Sequence, residues 1–257
     1  MSIKKEPLIL RWMGQMGLMI QSGEKKICID YYASPAPGRQ VPPPIAAEEL
    51  KNVSVFLGSH NHLDHIDHES WKIWARTCPK AVFVFPEAHR EAVLEDGIPE
   101  ERAYGMNHGG EIHLGDITVQ AIAAAHEFLD LDMNTGLYPC LQYLISWQGK
   151  RIYHAGDTLR YEGMLPRLRQ FGEIDAALLP INGRDAKRYR RNCIGNMTFQ
   201  EAADLAGELK PGLVIPGHWD MFSDNPGDPE AFADYLDAKY GKTVPCIIPE
   251  HMKAIEL

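Results

Sequence analysis

The chain predicts an α/β fold, a four-layer αββα sandwich, and three observations carry that expectation. Ten short β-rich segments are spread through its 257 residues. The early ones follow one another as a meander, whereas the later ones are mixed with stretches of helical periodicity. The apolar content, 45%, suffices for one sizeable core, so residues 1–257 read as a single domain. Two sheets with helices on their outer faces accommodate this order better than a regular βαβ array.

The meander is "LILRWM", "GLMIQS" and "KICID", with glycines at the bends. "VSVFLG", "AVFVF", "ITVQAIA", "LQYLISW", "KRIYHAG", "AALLP" and "GLVIPG" are the remaining strand candidates. Between them "HESWKIWARTC", "PEAHREAVLEDG", "TFQEAADLAGELK" and "PEAFADYLDAKYG" repeat apolar residues at three- and four-residue spacing, which predicts helices. Thr198 reads as an N-cap with Glu201 three residues on, and Pro211-Gly212 as the stop. "SPAPGRQVPPPIAAEEL", residues 34–50, reads as a long loop of the kind that rims a site. No internal repeat or low-complexity tract is evident.

Composition narrows the function classes. No apolar run is long enough to span a bilayer, and "MSIKKEPLILRW" lacks the apolar region of a signal peptide. The five cysteines, Cys28, Cys78, Cys140, Cys193 and Cys246, are scattered and form no CxxC. That argues against a disulfide framework and for a reducing, cytoplasmic setting. A net charge of −9 disfavours nucleic acid as a partner.

The chemistry is concentrated in "VSVFLGSHNHLDHID". An apolar strand ends at Gly58 and four potential ligands follow at once. His60 and His62 lie two apart and point the same way in an extended segment. Asp64 and His65 come after a turn and face a neighbouring point, so the spacing suggests two adjacent metal sites. Further ligands must come from elsewhere. His126, Asp157 and His218 each follow an apolar strand directly, in "AAAHE", "HAGDT" and "PGHWD".

HxHxDH, a distal His, an Asp in "GDT" and a final His together resemble the metallo-β-lactamase superfamily. "YHAGDTLRY", "IDAALLPING" and "MTFQEAADLAGELKPGLVIPGHWDMFSDNPGDPEAF" are similar to its L-ascorbate-6-phosphate lactonase branch. The resemblance implies the metallo-β-lactamase fold and two divalent ions, Zn²⁺ or Mn²⁺ with Fe²⁺ as a further choice. It implies that His60, His62 and His126 hold the first ion, Asp64, His65 and His218 the second, and that Asp157 bridges them. It implies further that Asp30, ending "KICID", orients a ligand histidine. His154, three residues before Asp157, reads either as a support behind the ligands or as a core histidine. The chain departs from the lactonase branch at its ends and at His126, where the branch carries an Asp; imidazole there favours Zn²⁺.

Such a centre would open a lactone by attack of a bridging hydroxide, with two ions about 3.5–4 Å apart. Asp64 is the catalytic candidate, moving the proton toward the leaving alkoxide. A basic run, Arg184, Lys187, Arg188, Arg190 and Arg191, follows the strand "AALLP" and is expected over the metal edge. Asn182, Arg184 and Arg188 are therefore the candidate contacts to a small anionic, phosphorylated substrate. A solvated loop or an oligomer contact is the competing reading of that run. Trp219 and Phe222 read as core packing or as pocket wall. Two other functions compete with the lactonase. One is a phosphodiesterase or ribonuclease using the same two ions; the other is a non-catalytic metal-dependent sensor or scaffold. A homo-oligomer is compatible with either.

Overall fold

A computed structural model describes residues 6–257 of the chain. Strands β1 (Ile9–Trp12), β2 (Leu18–Ser22) and β3 (Lys25–Ile29) form the antiparallel meander. β4 (Val55–Leu57), β5 (Val82–Pro86) and β6 (Ala103–Met106) then add in parallel to β3. β7 (Glu111–Leu114), β8 (Ile117–Ala123), β9 (Leu141–Trp147) and β10 (Lys150–His154) make a second meander. β11 (Ala176–Pro180) and β12 (Val214–Gly217) extend it in parallel. A short β13 (Ile255–Glu256) returns to pair with β1. Among the described residues this gives one seven-stranded and one six-stranded sheet.

Side-chain alternation builds the layers. Ile27, Ile29, Val55 and Leu57 face the second sheet and pack against Tyr143, Ile145, Ile152 and Leu178. Cys28 and Phe56, the residues between them, face outward with Phe83 and Phe85. Helix α1 (His68–Thr77) covers that outer face with Trp71 and Trp74, both 1% exposed. A ten-residue helix is marginal alone; each buried indole contributes about 1.5–3 kcal/mol, enough to hold it. On the far side, α3 (Met164–Arg169), α5 (Phe199–Leu209) and α6 (Pro229–Tyr240) cover the second sheet through Met164, Leu205, Phe232 and Leu236. This is the predicted αββα sandwich. Two shorter helices, α2 (Arg90–Glu95) and α4 (Ala186–Arg190), lie in connections. No helix among the described residues is long and apolar enough to cross a membrane.

The α5 cap forms as its sequence predicts: Thr198 accepts from the Glu201 N–H while Glu201 reaches back to the Thr198 N–H. Three strands and two helices lie beyond the sequence reading. β6, β7 and β13 are short and carry weak alternation. α3 sits in a stretch without clear periodicity. α4 falls inside the basic run, where Asp185 caps it by accepting from the Lys187 and Arg188 N–H groups.

Residues 34–50 carry no regular element beyond an isolated bridge. The loop is nonetheless tied at both faces. Buried Asp67 accepts hydrogen bonds from the Ala33 and Ser34 N–H groups and from the Ser34 and Ser70 hydroxyls, and caps α1. Arg39 bridges to Phe222, and the Gln40 N–H donates to the Met221 carbonyl at 2.7 Å. Asp67→Ala would strand several buried donors, so a loss of roughly 3 kcal/mol in urea-unfolding free energy is expected. Asp67→Asn, which keeps part of the acceptor set, should lose less.

Candidate metal centre

The C-terminal ends of β4, β8, β10 and β12 meet at one edge of the sandwich, where the two sheets are stitched together. The Leu141 N–H donates to the Ser59 carbonyl at 2.9 Å, and the Tyr143 hydroxyl to the Gly58 carbonyl at 2.9 Å. Glycine makes the approach feasible. A Cβ on Gly58 would lie 2.3 Å from Ile66 Cγ1, and one on Gly156 would lie 2.8 Å from Ser59 Cβ. Gly156 also has φ +56°, a conformation that side chains resist.

Seven predicted ligands converge there. His60, His62 and His126 bring one nitrogen each to a common point: His60 Nε2 and His62 Nδ1 are 2.9 Å apart, and His126 Nε2 is 3.2 Å from His62 Nδ1. Asp64, His65 and His218 form the second group, with Asp64 Oδ2 at 3.7 Å from both His65 Nε2 and His218 Nε2. Asp157 lies between the groups. Its Oδ2 is 3.7 Å from His126 Nε2 and 3.1 Å from His218 Nε2, and its Oδ1 is 3.4 Å from His65 Nε2. Ligand atoms about 2.1 Å from a tetrahedral ion sit about 3.4 Å from one another, so the donor sets fit divalent metals. The buried His65 Nε2 and Asp157 Oδ1, facing each other, have no hydrogen-bond partner among the described residues. Buried polar atoms are normally paired, and coordination is the pairing this edge offers.

Asp30 organises the group from behind. It takes a left-handed backbone, φ +46°, directly after β3. Its carboxylate accepts from the Ser59 N–H at 2.7 Å, the Ser59 hydroxyl at 2.6 Å and His65 Nδ1 at 2.7 Å. The Ser59 oxygen in turn lies 3.0 Å from His60 Nδ1. With Nδ1–H held on both rings, His60 and His65 turn Nε2 toward the centre. Ser59 stands in the motif itself, yet its role is missed from sequence because serine after a strand is common. Gln15 is also missed. It donates from Nε2 to Asp64 Oδ2 at 3.0 Å, and its carbonyl accepts the His218 N–H. Its signal was a polar residue between two glycines in the apolar "WMGQMGLM". His154 touches neither ligand group. Its Nε2 bonds the Met16 carbonyl at 2.8 Å, its Nδ1 accepts from the Gly156 N–H, and it passes Asp30 at 4.0 Å. It therefore supports the turn that carries Asp157.

The three residues expected to contact substrate lie apart from the ligand groups. Arg184 is paired with Glu201 at 2.6 and 2.7 Å and bonds the Asn196 carbonyl. Arg188 is paired with Asp185 and donates to Asn225 Oδ1 and the Pro226 carbonyl. Asn182 is buried against Asn225 and Asn196. All three border a separate hollow beside the start of α5. Carboxylates and carbonyls nearby in space captured the guanidiniums. A cavity of about 360 Å³ does open over the ligands, and the basic run contributes Asn192, Cys193 and Ile194 to it. Phe222 forms part of its wall.

The ionisation states divide along the same line as the ligand groups. Burial lowers the pKa of His60 and His62 and takes that of His126 down to about 4. Burial also opposes a proton on His65 and His218. There the carboxylates outweigh it, Asp157, Asp30 and Asp64 for His65 and Asp157 and Asp64 for His218, so both pKa values rise. Asp157 is held well below the usual carboxylate range by His218 and His65 despite its burial.

Comparison with known proteins bears on the family and the fold. The sequence model of the beta-lactamase superfamily domain matches residues 27–219. A UPF0173 metal-dependent hydrolase from Pyrococcus furiosus is 30% identical over 228 residues, covering 89% of this chain and 92% of the relative. That name is broader than the lactonase branch. Igni18, a metallo hydrolase from Ignicoccus hospitalis, superposes with a TM-score of 0.76 at 21% identity over 98% of both chains. CmlA, a diiron β-hydroxylase from Streptomyces venezuelae, superposes at 0.73 with 15% identity, over 98% of this chain and 54% of its own. At these identities the two structures show a shared fold.

Two outcomes are expected. Asp30→Asn should weaken divalent-ion affinity about 10–100-fold in a chelator competition, because His65 loses its acceptor. At pH 7, an ion entering the His60, His62 and His126 group meets neutral rings, whereas one entering the Asp64, His65 and His218 group displaces protons. Titration calorimetry in buffers of different ionisation enthalpy should assign proton release to only one of two binding events.

Proposed function

The chain belongs to the beta-lactamase superfamily, and from that premise we propose a metal-dependent hydrolase acting on the carboxylic ester bond of a small lactone. The observation that carries this reading is Asp157, whose one carboxylate oxygen lies within 3.7 Å of nitrogens from both ligand groups. Two ions held by His60, His62 and His126 and by Asp64, His65 and His218, with Asp157 shared, would supply an activated water and a polarised carbonyl. Five imidazoles and two carboxylates suit zinc, with iron and manganese as the alternatives such donors admit.

The chain's own groups do the rest. Burial works against the Asp64 carboxylate, but His65 and His218 keep its pKa below the ordinary value. At neutral pH it is therefore a proton acceptor, fixed by the Gln15 amide at the cavity wall. It is the group suited to take the proton of the attacking water and pass it to the leaving oxygen. The lactone is favoured by the resemblance of "YHAGDTLRY" and of residues 197–232 to the lactonase branch. A phosphodiesterase would need free cations along the cavity, and Arg184, Arg188 and Arg191 are engaged elsewhere. Five unpaired cysteines fit a reducing, cytoplasmic compartment.

Purified protein should carry two divalent ions per chain by elemental analysis and hydrolyse simple lactones. Chelation should abolish turnover and zinc restore it. Asp157→Asn should cost more than about a hundredfold in kcat/KM. Turnover indifferent to chelation would sink the proposal.

A further inference from the structure

From sequence, the basic run is expected above the ligands as an anion grip. The contacts point to the opposite arrangement. Arg184, Arg188 and Arg191 are all engaged by the protein itself. Arg184 holds Glu201 and the Asn196 carbonyl. Arg188 holds Asp185, Asn225 Oδ1 and the Pro226 carbonyl. Arg191 holds the Asp224 carbonyl at 2.7 Å. Arg188 and Arg191 thereby staple residues 188–194 onto residues 224–226, the two segments that enclose the outer half of the cavity. With the guanidiniums turned into the staple, the segment offers the cavity Asn192, Cys193 and Ile194 instead. Ile194 is 36% exposed, and Leu63, opposite in the ligand loop, is 58% exposed. Phe222 completes an apolar wall.

Among the described residues no lysine or arginine lines this cavity, while Asp64, Asp157 and Asp224 do. A phosphate or carboxylate placed away from the metals would meet leucine, isoleucine and phenylalanine, with an aspartate nearby, and would lose its hydration without a partner. Large apolar side chains left exposed around a concave site are the signature of an apolar ligand. Resting on the hydrolase reading, we infer that the substrate is a neutral ester or lactone carrying an apolar substituent, seated between Leu63, Ile194 and Phe222. Arg188 and Arg191 act as staples for that wall and make no contact with the substrate.

The test is a series of metal-loaded assays on δ-lactones with lengthening alkyl chains, beside a sugar lactone of similar size bearing a phosphate. KM should fall about fourfold per added methylene until the cavity is filled, and the phosphorylated lactone should be at least about tenfold poorer. Ile194→Lys should reverse the order, raising KM for the alkyl lactones and lowering it for the phosphorylated one. Arg188→Ala should raise KM for the alkyl lactones as the wall loosens, without changing preference toward the anion. A KM indifferent to chain length, or a better phosphorylated substrate in the unaltered protein, overturns the inference while leaving the hydrolase intact. Should neither lactone turn over, the hydrolase reading fails by itself. Titration calorimetry with the matching non-hydrolysable lactams then decides the wall: tighter binding of the alkyl lactam upholds it, and tighter binding of the phosphorylated lactam overturns it.

Discussion

One carboxylate governs the metal edge. Asp30 is buried, strained into a left-handed turn, and accepts three hydrogen bonds from Ser59 and His65. A buried anion is tolerated only when its lone pairs are matched, and these three donors match them. The geometry that follows is obligatory. Ser59 is pinned at the end of β4, His60 and His65 acquire fixed tautomers, and the ligand loop starts from a defined point. Were Asp30 apolar, two imidazoles would lose the partner that aims them, and the loop would lose its anchor to β3.

The sandwich supplies what a single sheet does not. Its two meanders leave one edge where strands from both sheets end in the same direction. Loops at that edge can be polar because the strands beneath them pack an apolar core and pair their backbones with their neighbours. Burial then sets the electrostatics. Burial pushes three histidines toward the neutral form, whereas Asp157 and its neighbours push two the other way. The same crowding that makes the bare edge unfavourable would favour a divalent ion there.

The layers and the clustering of the candidate ligands were legible in the sequence for physical reasons. Period-two alternation in "KICID" and "VSVFLG" marks residues that face two different apolar layers. His60 to His65 are contiguous, so their chemistry is visible without a fold. His126, Asp157 and His218 are each announced by an apolar strand immediately before them. The reading fails where partners are distant in sequence. Nothing local tells that Glu201 will capture Arg184, that Asn225 and the Pro226 carbonyl will capture Arg188, or that Gln15 will reach Asp64 across 49 positions. A charge run shows that cations are present; only tertiary structure shows which of them are already neutralised.

The ligands also divide by position along the chain. His60, His62, Asp64 and His65 hang from the first sheet, whereas His126, Asp157 and His218 hang from the second. Ions seated among them would rivet the two sheets across the seam, adding to the Leu141–Ser59, Tyr143–Gly58 and His154–Met16 hydrogen bonds that already cross it. Free energy of binding would then become free energy of holding the halves closed. Starved of metal, such a molecule would breathe along this seam and expose its central layer to proteases. Its lifetime in a cell would then be set by metal supply as much as by its own core.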